Sequence, residues 1–299
     1  MAFAIVGLRP ATAFAIAGGT SLSLTPGGSF TYTSGSAGAY TPVMTMSFSG
    51  TLGNVATAYF SYNRSGRETF SADVAGPHGE AQVLKLTIPQ WDGVGSSASM
   101  FFGGGLVGSS FPLDSDQDLW FRLYHYFPTS FCAGADSAGD YWGPVKWVRV
   151  EWTDGAKMTY ELGGFNQGSC ASAASAPYPY LGTKEYFPDQ SNMYFPTQVV
   201  LQRDQWVALQ FHMHTGSSGF LEGWVDDTYL GRANASIIPS TFTNKSIGSI
   251  VIGDYWNGGS YQANTWYVQD LIATTQTPDT LDSGGLPYIA PSAKVADFA

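Results

Sequence analysis

The stretch QWVALQFHMHTGSSGFLEGWVDDTYLG, residues 205–231, decides the reading of this chain. From Trp206 to His214 the side chains alternate without a break: Val207, Leu209, Phe211 and Met213 on one side, Trp206, Ala208, Gln210, His212 and His214 on the other. A period of two is that of a β-strand, whose successive side chains point to opposite faces. Residues 215–219 are small, polar and glycine-bearing, and an extended pattern resumes at Phe220. The stretch therefore predicts a long hairpin with one apolar and one polar face.

Working outward, composition agrees with a β protein. Charged residues make up 12% of the 299, while Gly (36) and the aromatics are abundant. That balance suits many strands joined by tight turns better than helices rich in Ala, Glu, Lys and Leu. The net charge of −10, with no clustered Lys or Arg, argues against nucleic-acid binding. No apolar run reaches membrane-spanning length, so no membrane partner is expected. The opening MAFAIVGLRPATAFAIAGG lacks a positive leading segment and is interrupted at Arg9-Pro10, which argues against a standard export signal. Cys132 and Cys170 do not make a disulfide framework for a chain of this size, and whether they are bridged is left open.

Further alternating segments follow the same logic. They occur at residues 55–63, 81–88, 118–127 (DLWFRLYHYF), 145–152 (VKWVRVEW), 157–162, 197–202, 246–254 and 264–275. Residues 93–110 read as a glycine-heavy flap and 163–190 as a long loop. Strands of this number bury their apolar faces in pairs, so the expected fold is an all-β, antiparallel two-sheet sandwich. Residues 1–50, nearly free of charge and carrying AFAI twice, are expected to form an N-terminal arm or edge strands. Residues 51–275 would form the sandwich, and 276–299 a tail packed on its surface.

With these strands in place, the order of motifs resembles the concanavalin A-like lectin/glucanase jelly roll, and in particular its polysaccharide-lyase-like branch. The resemblance rests on DLWFRLYHYF, GPVKWVRVEW, the 205–231 hairpin, IGSIVIGDYWNG and WYVQDLIATT, and covers about residues 118–275. Trp206 stands for the family's Trp-initiated strand, Trp224-Val225-Asp226-Asp227 for its W-x-D-G-like turn, and Asp270-Leu271-Ile272 for its acidic residue before an aliphatic pair. Asp227 occupies the usual place of Gly. Gln210-Phe211-His212 matches the QIH-like strand of alginate lyases, whereas their RSELR-like strand has no counterpart here. The resemblance implies the jelly-roll fold; activity must come from the site.

The polar strand faces supply the candidates. β-Elimination on a uronic acid needs a group that neutralises the carboxylate, a base for the C5 proton and an acid for the leaving oxygen. Arg122 or Arg149 fits the first role, His212 the second, and Tyr124 or Tyr126 the third. Gln210, His214, Glu222, Trp224 and Trp256 are candidates for glycan binding. Glu151 and Glu222 form the only carboxylate pair suited to hydrolysis, and neither lies in a glucanase-type strand. Asp114, Asp116 and Asp118 resemble the start of a calcium loop, but Leu119 and His125 stand where its Gly and Glu belong. No metal or cofactor is expected. The same face also reads as the ordinary solvated side of an antiparallel sheet.

Two functions follow. The first is a non-enzymatic, lectin-like structural protein of a virus particle, a capsid decoration or fibre component on the virion surface. It would be made in the host cytoplasm, homo-oligomeric or part of a larger assembly, and would bind other virion subunits through residues 1–50, with a glycan as a further ligand. The alternative is an extracellular polysaccharide lyase cleaving an anionic glycan.

Overall fold

The computed structural model describes the strands named below, together with residues 72–82, 117, 127–131, 195–197, 199–205, 219, 226–227, 262–263 and 275–292. Residues 1–28, Cys132, Cys170, Asp114 and Asp116 lie outside the described residues, and with them the AFAI segments and the question of a disulfide.

The strands are β1 (Ser29–Thr33), β2 (Val43–Ser47), β3 (Gly53–Asn54), β4 (Phe60–Tyr62), β5 (Glu68–Ser71), β6 (Val83–Ile88), β7 (Phe101–Phe102) and β8 (Asp118–Tyr126). They continue with β9 (Val145–Trp152), β10 (Lys157–Gly164), β11 (Pro177–Leu181), β12 (Trp206–His214), β13 (Phe220–Val225), β14 (Thr228–Ala233), β15 (Ile247–Trp256) and β16 (Asn264–Thr274). The described residues contain no helix. One sheet runs β14-β13-β12-β8-β16-β6-β5-β3, with β2 also paired to β16 and β1 to β2; the other runs β11-β10-β9-β15-β7-β4. Every pairing is antiparallel. The fold is an all-β jelly-roll sandwich.

The alternation read from the sequence sets the core. On β8, Leu119, Phe121, Leu123 and His125 are fully buried, and on β12 Val207, Leu209, Phe211 and Met213 are at most 1% exposed. Phe121 and Phe211 face each other across the ladder with rings 4.9 Å apart. Burial of each apolar side chain in this set contributes about 1.5–3 kcal/mol, which pins the register, since a one-residue slip would turn the whole set outward.

Three local expectations are corrected. Residues 199–202 are not strand; Thr197 instead donates one backbone bond to Leu230 O (2.8 Å), and Leu201 is buried. The long loop contains β11, whose Pro177 and Pro179 disguise it; as the terminal strand of its sheet it can lack those N–H donors. The flap contains β7, which joins β4 to β15. The β13–β14 turn needs a positive φ at Asp226 (50°) but not at Asp227, so the missing family glycine is tolerated.

Gly223 on β13 is a packing requirement. A Cβ there would meet the Phe195 ring at 2.7 Å, and Phe195 is itself buried. Gly223→Ala is expected to lower unfolding free energy by about 1–3 kcal/mol, read as a shift of the urea midpoint.

Candidate functional site

The polar face of the β13-β12-β8-β16 sheet arranges its side chains in rows across the strands. Antiparallel register places His212 opposite Trp120 and Glu222, Gln210 opposite Arg122 and Trp224, and Ala208 opposite Tyr124. On the far side of β8, Tyr124 lies opposite Gln269 and Arg122 opposite Ile272, with a bulge between. Asp270 sits in that bulge, buried and at φ 49°. A non-glycine residue held there carries backbone strain of order 1–3 kcal/mol, a cost met most often at functional sites.

The first row is a charge cluster. His212 Nδ1 lies 2.9 Å from Glu222 Oε2, and Nε2 lies 2.7 Å from Asp118 Oδ1. His214 Nδ1 also reaches Asp118 Oδ1, at 2.9 Å. Glu222 Oε1 accepts from Tyr229 Oη and Arg232 Nε, each at 2.9 Å. Trp120 stacks on the His212 ring at 4.1 Å, and Phe220 meets it edge-on. Burial works to lower the His212 pKa, but the bonds to Asp118 and Glu222 outweigh it and raise the pKa above its usual value. Burial likewise opposes ionisation of Asp118 and Glu222, yet their hydrogen bonds hold both pKa values below the ordinary range.

His212 therefore has a carboxylate on each ring nitrogen, an arrangement that favours the protonated ring and engages both nitrogens. The residue expected as base thus has both ring nitrogens engaged by carboxylates of neighbouring strands, and the contacts tie β8, β12 and β13 together. Glu222→Gln removes one anionic partner, and the His212 titration followed by ring NMR is expected to move to lower pH. An unmoved titration would contradict this account.

The second row carries different chemistry. Arg122 is fully buried, its guanidinium 4.8 Å from the centre of the Tyr124 ring. The His78 ring meets Tyr124 edge-on at 5.3 Å, and its Nε2 lies 3.3 Å from Asp270 Oδ2. Arg122, Tyr124, Gln210 and His78 thus share one patch. The sequence did not single out His78, because it belongs to the GPHGE turn and reaches the patch only through the pairing of β6 with β16.

The remaining candidates separate. Arg149, Glu151 and Trp256 belong to β9 and β15 of the six-stranded sheet, so they are not neighbours of Arg122. Tyr126 stands at the far end of the face, with Trp206 and Tyr267 at 5.6 and 5.9 Å. Since β12 places His212 opposite Trp120, it stands four residues from Tyr124 along the strands, about 14 Å at 3.4 Å per residue. One sugar residue could not engage both. No group of three or more His, Cys, Asp or Glu suited to a metal occurs among the described residues.

The patch is covered from within the chain. Arg122 Nη1 donates to Ala290 O (2.7 Å), Tyr124 Oη to Pro291 O, and the Ile289 amide to Gln210 Oε1 (2.9 Å). Trp224 Nε1 donates to Asp282 Oδ2 (2.8 Å), and Tyr288 Oη to Asp227 Oδ1 (2.6 Å). Burial pushes the Tyr124 hydroxyl up to about 12, against the pull of Arg122. A sheet face that reads as open in the sequence is closed by the chain's own C-terminal segment.

No family model and no curated protein matches the chain. Among solved structures, it is similar to an endo-β-1,4-glucuronan lyase from the fungus Trichoderma reesei. The TM-score is 0.50 at 9% identity, over 76% of this chain and 95% of that one. Alginate lyase Aly36B gives 0.49 at 10% identity, over 75% and 92%. Alginate lyase vAL-1 from Chlorella virus gives 0.42 at 11%, over 70% and 90%. At such identities the likeness is one of fold, the jelly-roll β-sandwich.

Proposed function

We propose that the protein is a polysaccharide lyase acting on a uronate-containing glycan, with Arg122, Tyr124, His78 and Gln210 as its working groups. The observation that carries this reading is a fully buried guanidinium on the polar sheet face, beside a phenol, an imidazole and an amide. Arg122 and the Gln210 amide would hold the uronate carboxylate and spread the charge that develops when C5 loses its proton. His78 would accept that proton. The freed electron pair forms the C4=C5 double bond, the C4–O bond breaks, and Tyr124 gives its proton to the departing oxygen.

The jelly-roll likeness to a glucuronan lyase supports the reading at the level of fold. The virion role expected from the sequence gains no support from these neighbours. What favours a non-enzymatic binding module is that the patch is covered. Polyglucuronate and alginate, incubated with the protein and with its Arg122→Met variant, separate the two. The expected result is unsaturated uronate, followed by its ultraviolet absorbance, from at least one polymer with the native protein and none with the variant. Binding without product, in a protein whose patch has been opened, would establish the module instead.

A further inference from the structure

We infer that residues 280–291 are an intramolecular stand-in for the glycan, a strap that must leave the patch before a polymer enters. The inference rests on the lyase reading for the identity of the ligand, but the strap's geometry stands apart from it. The segment first meets β13 at Trp224 and the β13–β14 turn at Asp227, then β12 at Gln210, then β8 at Arg122 and Tyr124. It thus crosses successive strands of the sheet, the path along which an extended chain engages the side chains of one row in turn.

Its contacts have the chemistry of a sugar acid. Two successive carbonyl oxygens, of Ala290 and Pro291, accept from Arg122 and Tyr124, where carboxylate and hydroxyl oxygens of a uronate would accept. A carbonyl is a neutral partner for Arg122, whereas a carboxylate adds ion pairing and can engage the guanidinium through two parallel bonds. An anionic polymer therefore has the advantage at this point, whereas a neutral one does not.

The two halves of the strap differ in how they are held. Asp282 gathers its own loop, accepting from the amides of Gly284 (2.8 Å) and Leu286 (2.9 Å) and from Trp224. Backbone bonds from Asp282 N to Leu286 O and from Tyr288 N to Thr280 O close that loop, and Gly285 adopts φ 82° within it. Beyond Tyr288 the segment is held by Ile289, packed against Trp120 and Ile272, and by the single bonds to Gln210, Arg122 and Tyr124. The looped half is the anchor, and residues 289–291 are the half that lifts.

The test uses the full chain. Ile289→Asp places a charge in the apolar contact, and Tyr288→Phe, a milder change, removes the bond to Asp227. In the native protein, oligomers of glucuronate or mannuronate are expected to speed hydrogen exchange at the Ile289 and Ala290 amides. Ile289→Asp is expected to bind the better of the two oligomers about tenfold more tightly or beyond, because the closed state taxes affinity by the fraction of molecules that are open. Tyr288→Phe should move the same way by less, and it serves if Ile289→Asp does not fold.

Tighter binding with faster exchange but no unsaturated product would support the strap and sink the lyase reading. Product formed with unchanged exchange, at the same KM in native and variant proteins, would overturn the strap and leave the lyase. Failure of either oligomer to bind a variant whose strap amides exchange freely would also overturn the strap.

Discussion

A Tyr124→Phe protein is expected to lose about 10²–10⁴-fold in kcat on a uronate polymer, the usual worth of a positioned general acid. At 1.36 kcal/mol per tenfold this is about 3–5 kcal/mol of transition-state stabilisation. KM should hold or fall, because the hydroxyl's bond in the closed protein is to Pro291 O, and removing it loosens the strap rather than the substrate. The fold should survive, since Tyr124 keeps its ring against His78 and Arg122. Initial rates in the Ile289→Asp background separate the chemical effect from the opening of the patch. A loss smaller than about threefold would remove Tyr124 from the proton-transfer role.

The second large effect concerns stability and pH. His125 faces the sandwich core, fully buried and stacked 5.7 Å from Phe127, and burial lowers its pKa to about 3. The native protein therefore keeps this ring neutral while an unfolded chain takes up a proton below the ordinary value of 6.5. Between those two values the unfolded state binds the extra proton, so stability falls as pH falls, by about 1.4 kcal/mol per pH unit.

His212 acts in the opposite sense. Its raised pKa gives a contribution fully present below 6.5 and lost as pH rises through the elevated value. Asp118 and Glu222, with lowered values, contribute above their ordinary 3.8 and 4.5 and lose that contribution as pH falls through their folded values. Maximum stability is therefore expected near pH 6.5, with His125 responsible for the first part of the acid limb. Urea midpoints for the native protein should drop steadily from about pH 6 to 5. A His125→Leu variant should be flat there and decline only once the carboxylates protonate. Parallel curves for the two proteins would contradict this assignment.

The hairpin of residues 205–231 shows how far local pattern carries. Alternation placed Gln210, His212 and His214 on the face opposite Leu209, Phe211 and Met213, and the structure has them so. The same alternation put Arg122, Tyr124 and Tyr126 together on the polar side of β8. It could not distinguish Arg149 from Arg122, because a period of two identifies the face of a strand and not the sheet to which the strand belongs. It also could not show that His212 lies between two carboxylates. Asp118 and Glu222 come to it from neighbouring strands, and only register decides which residues stand opposite.

What the sequence by itself determined, then, was most of the long strands, their two faces and the all-β class, because side-chain periodicity and turn chemistry are properties of short segments. Tertiary structure alone decided the composition of the patch. His78 comes from a turn, Asp270 from a bulge, and residues 280–291 from the chain's far end. Their meeting over Arg122 and Tyr124 depends on strand order and on contacts across long separations, which no local pattern encodes. Thus the polar side of the hairpin, open on its own pattern, is in the folded protein crossed by residues 282–291.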